Sequence, residues 1–369
     1  MVTVHVNTER TWRGGERQMC TLARGLQERG HVAHVVCRPN SPCEEGAKRM
    51  GLPAHPLKIC GDLDLPAAWR LARLLDRLGA EIVHAHTART HLVCALAARL
   101  AQRRPACIVH RRVDFSLHKM PLRLSGLKYR WGVDRYIAIT AAVRDVMVRD
   151  GVPPGKISIV HSCADLSRFE NVARRPGLRA EWGVPADAPL VGAVGALVGH
   201  KAHADLLDAA ALVLRQRPEA HFIILGEGPL RPALEAQARA LGIQQRVYLP
   251  GERSDVPACL AEFDLFCMSS RMEGLGTAVL EAMAMRRPVA STDAGGLAEV
   301  VRDGENALVA RAGDSAALAG CILRLLSDRA LARRLAEAGR RTVEAEFSAG
   351  MMVERTLAVY REVLGAQRK

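Results

Sequence analysis

The stretch FDLFCMSSRMEGLGTAVLEAMAMRRPVASTDAGGLAEVV, residues 263–301, decides the fold class. It begins with an apolar run, Phe263–Met268, that is long enough for one buried strand, and continues into a loop over Ser269–Gly276 that contains two glycines. A helical run starts at Thr277, whose hydroxyl predicts a helix cap, and Pro288 ends that helix before a second strand. Strand, helix and strand in this order predict an α/β fold with a parallel sheet, in which ligands bind at the carboxyl ends of the strands.

The same stretch carries two carboxylates in positions that suit a sugar nucleotide. Glu273 lies in the glycine-containing loop, and Glu281 follows Thr277 by four residues on the same helical face. The backbone amides of Gly274–Thr277, at the start of the helix, suit phosphate oxygens. A nucleoside diphosphate sugar offers a diphosphate, a ribose diol and sugar hydroxyls to these groups. The alternative is a capped helix with two solvated glutamates, which is the more frequent meaning of a short motif taken alone.

A longer pattern favours the ligand site. EGLGTAVLEAMA, followed by PVAST and AGGLAEVVRDGENALV, resembles the retaining nucleotide-sugar glycosyltransferases of family 4, with their Glu-x7-Glu element. The resemblance implies a GT-B fold, in which two Rossmann-like, doubly wound parallel-sheet domains face a central cleft. It also implies that Glu273 lies beside the donor sugar, that Glu281 holds the ribose diol, and that the amides of Gly274, Leu275 and Gly276 face the sugar and diphosphate.

Two positions depart from the family pattern. At the end of the helix this chain has Arg286 where the family often has glycine, and a left-handed conformation costs a non-glycine residue roughly 1–2 kcal/mol, so we expect a different cap. The second departure is Ala196, which stands where the family commonly has an arginine. Lys201 is retained nearby and can pair with a diphosphate. His200 or His203 is a candidate for the missing cation; an ordinary surface lysine is the alternative reading of Lys201.

The first half of the chain shows the same alternation of strands and helices. Val2–Val6 and Val32–Cys37 are predicted strands that flank a helix with Gly14 and Gly15 at its N-terminus. The resemblance implies that Gly15 faces the donor phosphate and the acceptor, whereas a tight turn is the alternative. His110 ends another predicted strand, where active-site residues collect, and the family has a histidine there; the alternative is a loop histidine with a structural hydrogen bond.

The resemblance covers nearly the whole chain and implies its division into domains. Residues 1–165 are the expected acceptor-side domain and residues 166–347 the expected nucleotide-sugar domain. A terminal helix over about residues 348–369 is expected to pack back on the first domain. In the family, the backbone after Gly251 approaches the nucleotide base, so Arg253 is a candidate for base contact.

Two motifs raise the question of a metal. Asp62 and Asp64 form a D-x-D pair of the kind that chelates metal in GT-A transferases, but here they precede a predicted helix with Pro66 in its first turn, which favours a helix start. His84 and His86 lie on one face of a predicted strand, and no third ligand is evident near them in the sequence. We therefore expect no metal and no cofactor other than the sugar-nucleotide donor.

Composition sets the class of protein and its compartment. The chain has 369 residues, which suits two domains, and its ten cysteines are scattered without a C-x-x-C pair, so we expect free thiols in a cytoplasmic protein. No apolar run has membrane-spanning length, and residues 1–10 lack the apolar core of a signal peptide. The net charge of +13 indicates an acidic partner, while the 4% of aromatic residues argues against a base-stacking nucleic-acid surface.

A basic stretch over Arg103–Arg135 interleaves cations with apolar and aromatic residues, among them Phe115, Tyr129 and Trp131. This pattern is typical of peripheral contact with an anionic membrane, and it predicts a location on the inner face of the membrane. We expect an anionic acceptor that is a lipid-linked or lipopolysaccharide-type glycan of the cell envelope. A solvated face that packs its apolar side inward is the alternative.

Three functions remain for the complete pattern. The leading one is a retaining transferase of hexosyl type that moves a sugar from a nucleoside diphosphate to an acceptor hydroxyl. A sugar-nucleotide 2-epimerase shares the fold, and it would convert the donor when no acceptor is present. A non-catalytic basic protein would instead bind nucleic acid with a steep dependence on salt.

Overall fold

The computed structural model describes residues 1–10, 12–112 and 131–367. The chain divides into two compact units, one formed by Met1–Cys163 with Ala349–Lys369 and the other by Ala164–Ser348. Most of the basic stretch predicted to contact a membrane, residues 113–130, lies outside the described residues. All ten cysteines carry free thiols, as their scattered spacing predicted.

A parallel sheet of seven strands forms the centre of the first unit, in the order β3-β2-β1-β4-β5-β6-β7. Its strands are β1 (Val2–Val6), β2 (Val32–Cys37), β3 (Ala54–Pro56), β4 (Ile82–Ala85), β5 (Ala106–Arg111), β6 (Arg135–Ala138) and β7 (Ile157–Ile159). The helices between them are α1 (Gly14–Gln27), α2 (Pro42–Arg49), α3 (Leu65–Leu78), α4 (Ala88–Leu100) and α5 (Ala141–Arg149). Helices cover such a sheet on both faces, and its central strands are therefore mostly apolar.

The second unit contains a parallel sheet of six strands in the order β10-β9-β8-β11-β12-β13. Its strands are β8 (Leu190–Val194), β9 (His221–Leu225), β10 (Val247–Gly251), β11 (Leu265–Met268), β12 (Val289–Thr292) and β13 (Leu308–Ala310). Its helices are α6 (Leu178–Glu181), α7 (His203–Gln216), α8 (Arg231–Ala240), α9 (Val256–Glu262), α10 (Thr277–Ala284), α11 (Ser315–Ser327) and α12 (Arg329–Glu346). The two parallel sheets confirm the predicted α/β class.

The last helix, α13 (Ala349–Gln367), belongs to the first unit and packs along α1. Its buried face joins the apolar cluster of that unit through Met352, Val353, Leu357 and Tyr360. Gly25 of α1 allows the close approach, because a Cβ at this position would lie 2.5 Å from Cγ2 of Val353. The sequence ends in helical periodicity, but the structure divides it into α11, α12 and α13.

Local start signals were identified correctly in α3 and incorrectly in α10. Asp64 caps α3 by accepting a hydrogen bond from the amide of Ala67 at 2.9 Å, which confirms the helix-start interpretation of this aspartate. The cap of α10 is Gly276 and not Thr277 as predicted. Gly276 has a φ of +82°, and a Cβ there would lie 2.3 Å from Cδ2 of Leu297, so a larger residue would strain the backbone and would require the Leu297 side chain to move.

Arg286, after the end of α10, has a φ of +51°. The expectation of a different cap was therefore wrong: the arginine takes the left-handed conformation that the family pattern gives to glycine. The amide of Arg287 donates to the carbonyl of Ala282 at 2.9 Å, a backbone bond that closes the helix end around Arg286. The arginine side chain is exposed and pairs with Glu337 at 3.2 Å, so the chain tolerates backbone strain here without gaining core packing.

We expect Arg286→Gly to raise the free energy of unfolding by about 1 kcal/mol, because glycine adopts a left-handed conformation without the Cβ penalty. Loss of the exposed pair with Glu337 has little effect on stability. Urea unfolding of the two proteins measures the difference. Arg286→Ala is the matched control, since it removes the same ion pair and keeps the Cβ. Equal stability of the glycine and alanine variants would contradict the strain.

Candidate active site

The structure distributes the predicted site residues over both units. Gly15 and His110 lie in the first unit. The second unit holds the others, namely Lys201, Arg253, Glu273, Gly274, Leu275, Gly276 and Glu281. Within the second unit, those that follow β8 and β11 come together, because these two strands are neighbours in a parallel sheet.

Glu273 is held by a cation and a hydroxyl. Nζ of Lys201 lies 2.5 Å from Oε2 of Glu273, and the hydroxyl of Ser270 donates to the same oxygen at 3.2 Å. The backbone is fixed as well, since the amide of Gly296 donates to the carbonyl of Glu273 at 2.8 Å. Because both charged side chains are less than one-fifth exposed, water weakens this pair less than it would at an open surface.

Lys201 reaches Glu273 from the turn Gly199–Lys201, which follows β8. The hydroxyl of Ser269 donates to the Lys201 carbonyl at 3.1 Å and so connects this turn to the loop after β11. Ala202 then turns the chain into α7 with a φ of +48°. A lysine and a glutamate that follow neighbouring strands therefore lie at the same carboxyl edge of the sheet. The sequence placed each of them after a predicted strand.

His203 does not supply the cation that Ala196 leaves missing. Burial, and then the charge of Lys201, lower the pKa of His203 to about 4, so its ring is neutral at physiological pH. Its Nε2 would lie 3.6 Å from a Cβ on Gly195, which places the ring at the end of β8, where it can donate a hydrogen bond. The side chain of His200 is exposed, and its role stays a prediction.

Glu281 lies in the second turn of α10 and forms an ion pair that the sequence did not suggest. Nη1 of Arg168 lies 3.4 Å from Oε1 of Glu281, and the guanidinium of Arg168 stacks over the ring of Phe169. Arg168 comes from the connection HSCADLSRF, far from α10 in sequence. No motif or period links the two positions, so only the tertiary structure brings them together.

The start of α10 presents backbone donors beside the pair of Lys201 and Glu273. The first amides of a helix have no intrahelical acceptor, and they carry the positive end of its dipole. The side chain of Leu275 is buried, so this residue can contribute to a ligand site only through its backbone. At Gly276, the side chain of Leu297 packs where a Cβ would be, so it lies against the start of α10.

Arg253 is already engaged by two carboxylates. Its guanidinium donates to Asp255 at 2.7 and 2.8 Å, and to Glu181. These hydrogen bonds raise the pKa of Arg253 above its ordinary value. Contact between Arg253 and a nucleotide base stays a prediction, and a side-chain contact would require exchange of one of these partners.

Four histidines meet at the centre of the first unit. His84 and His86 come from the end of β4, His110 from the end of β5, and His5 from β1, where it lies opposite His84 in the parallel register. Ring nitrogens of His5, His84 and His86 lie within 4.8 Å of one another. The expectation that no third histidine accompanies His84 and His86 was therefore wrong. The missing signal was strand order: once β1 and β4 are placed side by side, His5 faces His84.

A directional chain of hydrogen bonds occupies the ring nitrogens of His5 and His86. Nη1 of Arg112 lies 3.2 Å from Nδ1 of His86, Nε2 of His86 lies 3.1 Å from Nδ1 of His5, and Nε2 of His5 lies 3.1 Å from the hydroxyl of Thr3. Both rings are neutral, since burial lowers the pKa of His5 to about 3 and the pKa of His86 well below its ordinary value. These hydrogen bonds occupy the lone pairs of two of the rings, and a guanidinium adjoins them, which argues against a metal ion here; the expectation of no metal stays a prediction.

Comparison with known proteins places this arrangement in a family. The model of the "Glycosyltransferase Family 4" domain matches residues 12–168, and the model of "Glycosyl transferases group 1" matches residues 175–342. The alpha-D-kanosaminyltransferase of Streptomyces kanamyceticus is 30% identical over 345 residues, which are 86% of this chain and 89% of the relative. This chain is a family 4 glycosyltransferase.

Two further proteins resemble the glycosyltransferase in part or in fold. The lipopolysaccharide core biosynthesis glycosyltransferase LpsE of Rhizobium meliloti is 38% identical over 184 residues, which are 50% of this chain and 53% of LpsE. The crystal structure of Anabaena Alr3699/HepE in complex with UDP matches with a TM-score of 0.84 at 21% identity, over 98% of this chain and 100% of that one. This likeness confirms the predicted GT-B fold.

Within its described residues, the glycosyltransferase has no helix that combines the length and apolar character needed to cross a bilayer.

We expect Lys201→Ala to lower kcat of the glycosyltransferase by about 10²–10³, the range observed when a group that stabilises developing negative charge is removed. Lys201→Arg is the matched control, because it keeps the cation next to Glu273. Steady-state rates with a sugar-nucleotide panel provide the measurement. Full activity of Lys201→Ala would contradict the role predicted for this cation.

Proposed function

We propose that the protein is a retaining glycosyltransferase that moves a sugar from a nucleoside diphosphate sugar to an acceptor hydroxyl. The observation that carries the proposal is the pair of Lys201 and Glu273 at the N-terminus of α10, with Glu281 one turn further along the same helix. A cation and helix amides suit a diphosphate, and the two carboxylates suit hydroxyl groups. The complex of HepE with UDP supports a nucleotide donor for this fold.

In the proposed reaction, the bond between the anomeric carbon and the diphosphate oxygen breaks while the acceptor oxygen bonds to the same carbon, and the proton of the acceptor hydroxyl passes to the leaving diphosphate. Negative charge grows on the leaving diphosphate. Lys201 and the amides at the start of α10 are placed to stabilise that charge without rearranging at the moment of reaction. Glu273, held by Lys201 and Ser270, accepts hydrogen bonds from the sugar hydroxyls and fixes the orientation of the ring.

Glu281 has a separate proposed role, which is to hold the ribose. A carboxylate can accept two hydrogen bonds from a vicinal diol, one at each oxygen. The contact between Arg168 and Glu281 is long for a charge-assisted hydrogen bond at 3.4 Å. A ribose diol can therefore exchange for this long contact, while Arg168 stays beside the carboxylate.

We expect Glu281→Ala to weaken the affinity for UDP about tenfold to a hundredfold, because hydrogen bonds to a charged group contribute roughly 1.5–3 kcal/mol. Arg168→Ala should change UDP affinity much less, since the carboxylate that binds the diol remains. Calorimetry of both variants separates the roles. If Glu281→Ala binds UDP as the wild type does, the carboxylate does not hold the ribose.

For the acceptor, we propose an anionic glycan or glycolipid, with the enzyme at the inner face of the membrane. The net charge of +13 and the resemblance to LpsE support this choice. Trp131 lies in the described part of the basic stretch and is 47% exposed. An exposed tryptophan suits the headgroup level of a bilayer. The kanosaminyltransferase, whose name mentions no lipid, represents the alternative of an acceptor outside the membrane.

Flotation with anionic vesicles tests this location. We expect the wild type to float at low salt and to be released at high salt, because each basic residue near an anionic surface contributes about 1 kcal/mol. Changing Lys119, Arg123 and Lys128 together to Glu should weaken flotation. These three residues lie outside the described residues. The control changes the exposed Arg239, Arg329 and Arg333 of the second unit to Glu, with the same change in net charge. Wild-type protein that stays with the soluble fraction at low salt would contradict membrane contact.

A further inference from the structure

Three apolar side chains interrupt the solvent side of α3 and of the loop before it. Leu63, Leu65 and Trp69 are 73%, 59% and 54% exposed. Ten large apolar side chains of the described residues are exposed, and three of them fall within residues 63–69, whereas the others are widely separated along the chain. Single apolar residues at a surface are ordinary, but a contiguous group of them marks an interaction site. Leu63, Leu65 and Trp69 together form the α3 patch.

The core of the first unit does not use these side chains. α3 packs against α4 and buries another side of its surface, which consists of Ala67, Ala68, Leu71, Ala72 and Leu75. Leu65 and Trp69 are four residues apart, so they lie one above the other on the solvent side of the helix. A helix that only covered a sheet would carry polar residues on that side. The two apolar side chains therefore need an explanation outside the core.

Asp64 fixes the loop that presents Leu63. Its two carboxylate oxygens accept from the amide of Cys60 at 2.8 Å and from the amide of Ala67 at 2.9 Å. These hydrogen bonds hold the pKa of Asp64 below its ordinary value, so the cap remains ionised at physiological pH. The amide of Leu65 also donates to the carbonyl of Leu63 at 2.9 Å. Leu63 is thus exposed on a loop whose backbone is held at both ends.

Polarity changes along the exposed side of α3. Leu65, Trp69, Arg73 and Arg77 follow one another at intervals of four residues and so form one stripe from the first turn to the last. At a rise of ~1.5 Å per residue, the two arginines lie roughly 12 and 18 Å from Leu65 along the helix axis. The guanidinium carbon of Arg73 lies 5.0 Å from the centre of the Trp69 ring. The stripe is apolar at its start, aromatic next and cationic at its end.

An anionic lipid bilayer offers the same order of environments. Its acyl region is apolar, tryptophan favours the interface, and basic residues are attracted to the anionic headgroups. An acidic protein surface would match the arginines but would leave Leu63 and Leu65 without an apolar partner. A second copy of the chain would bring like charges together, since each copy carries a net charge of +13. The stripe therefore fits a bilayer better than either protein partner.

Asp62, which is exposed next to Leu63, limits the depth of such a contact. A carboxylate is costly in an apolar region, and anionic headgroups repel it. We therefore expect a shallow contact, with the leucines of the α3 patch at the boundary between the headgroups and the acyl chains.

The α3 patch lies at the carboxyl edge of the first sheet. All neighbouring strands of this sheet are parallel, so their carboxyl ends share one edge. α3 begins after β3, and its first two turns start at that edge. Gly15 follows β1 and His110 belongs to the end of β5, so the predicted site residues of this unit lie at the same edge.

We propose that the α3 patch is a docking surface for an anionic lipid bilayer. The inference rests on the membrane location in the proposed function and deepens it, because it assigns the contact to described residues outside the basic stretch Arg103–Arg135. Docking through the α3 patch turns the carboxyl edge of the first sheet toward the bilayer, where a lipid-linked acceptor resides.

Flotation with vesicles of phosphatidylglycerol and phosphatidylcholine tests the α3 patch. The triple variant Leu63→Ser, Leu65→Ser and Trp69→Ser keeps the net charge and removes the apolar contact. We expect it to bind vesicles roughly tenfold or more weakly than the wild type, because interfacial binding scales with the apolar area that is buried. Equal binding by the wild type and the triple variant would overturn the proposal.

The matched control changes Leu100, Leu230 and Leu241 to Ser. These leucines are also exposed, and they lie on other elements. The control therefore loses three exposed apolar side chains at the same net charge, and we expect it to float as the wild type does. A loss of flotation as large as that of the triple variant would show a general effect of surface hydrophobicity and would contradict a defined docking surface.

Lipids labelled with bromine report whether Trp69 itself enters the bilayer, since bromine quenches tryptophan fluorescence only at short range. Trp69→Phe keeps an aromatic ring and should bind vesicles, but it should lose part of the quenching that the wild type shows. Trp182→Phe is the control, because Trp182 is buried in the second unit. Quenching of Trp69→Phe equal to that of the wild type would contradict the contact. This single replacement keeps the proposal testable even if the triple variant does not fold.

The outcomes separate this inference from the proposed transferase function. Flotation needs no donor, whereas UDP binding is measured without vesicles. Wild-type protein that does not float would overturn the α3 patch together with the membrane location, and it would leave the donor site unaffected. Flotation that depends on Lys119, Arg123 and Lys128 but not on the α3 patch would overturn the patch alone. A dimer that the triple variant dissociates would assign the patch to a second copy and would also overturn the proposal.

Discussion

Parallel pairing of neighbouring strands is the constraint on which the candidate active site and the histidine cluster depend. Because the carboxyl ends of paired parallel strands meet at one edge of a sheet, side chains distant in sequence arrive side by side. The pairing of β8 with β11 brings the turn that holds Lys201 to the loop that holds Glu273. In the first unit, the pairing of β1 with β4 brings His5 to His84.

The two units treat buried charge differently. In the second unit, the proposed donor residues are compensated by groups of the same unit, as Lys201 is by Glu273 and Glu281 is by Arg168. Such pairs keep the charged side chains oriented before a ligand binds. The ligand then replaces one partner of the pair. In the first unit, among the described residues, the partly buried Arg112 contacts the neutral ring of His86 and forms no ion pair.

Features with a local cause could be predicted from the sequence, whereas features with a tertiary cause could not. The α/β alternation, the cap at Asp64 and the glycine-containing loop before α10 follow from periodicity and turn chemistry within a few residues. The cap at Gly276 depends on Leu297, and the left-handed Arg286 contradicts local preference, so both required the packed structure. The pair of Arg168 with Glu281 and the chain from Arg112 to Thr3 cross between elements, and no spacing along the sequence encodes them.

The placement of α13 has a consequence for the order in which the chain folds. Domains generally fold as units during synthesis, with the N-terminal one first. Here the first unit needs Val353 against Gly25, and it needs the hydroxyl of Tyr360, which lies 2.6 Å from Nδ1 of His84. The ribosome reaches these residues only after it has made the whole of the second unit. The first unit to emerge is thus the last to be completed, and until α13 arrives the surface of α1 that it covers is a target for chaperones.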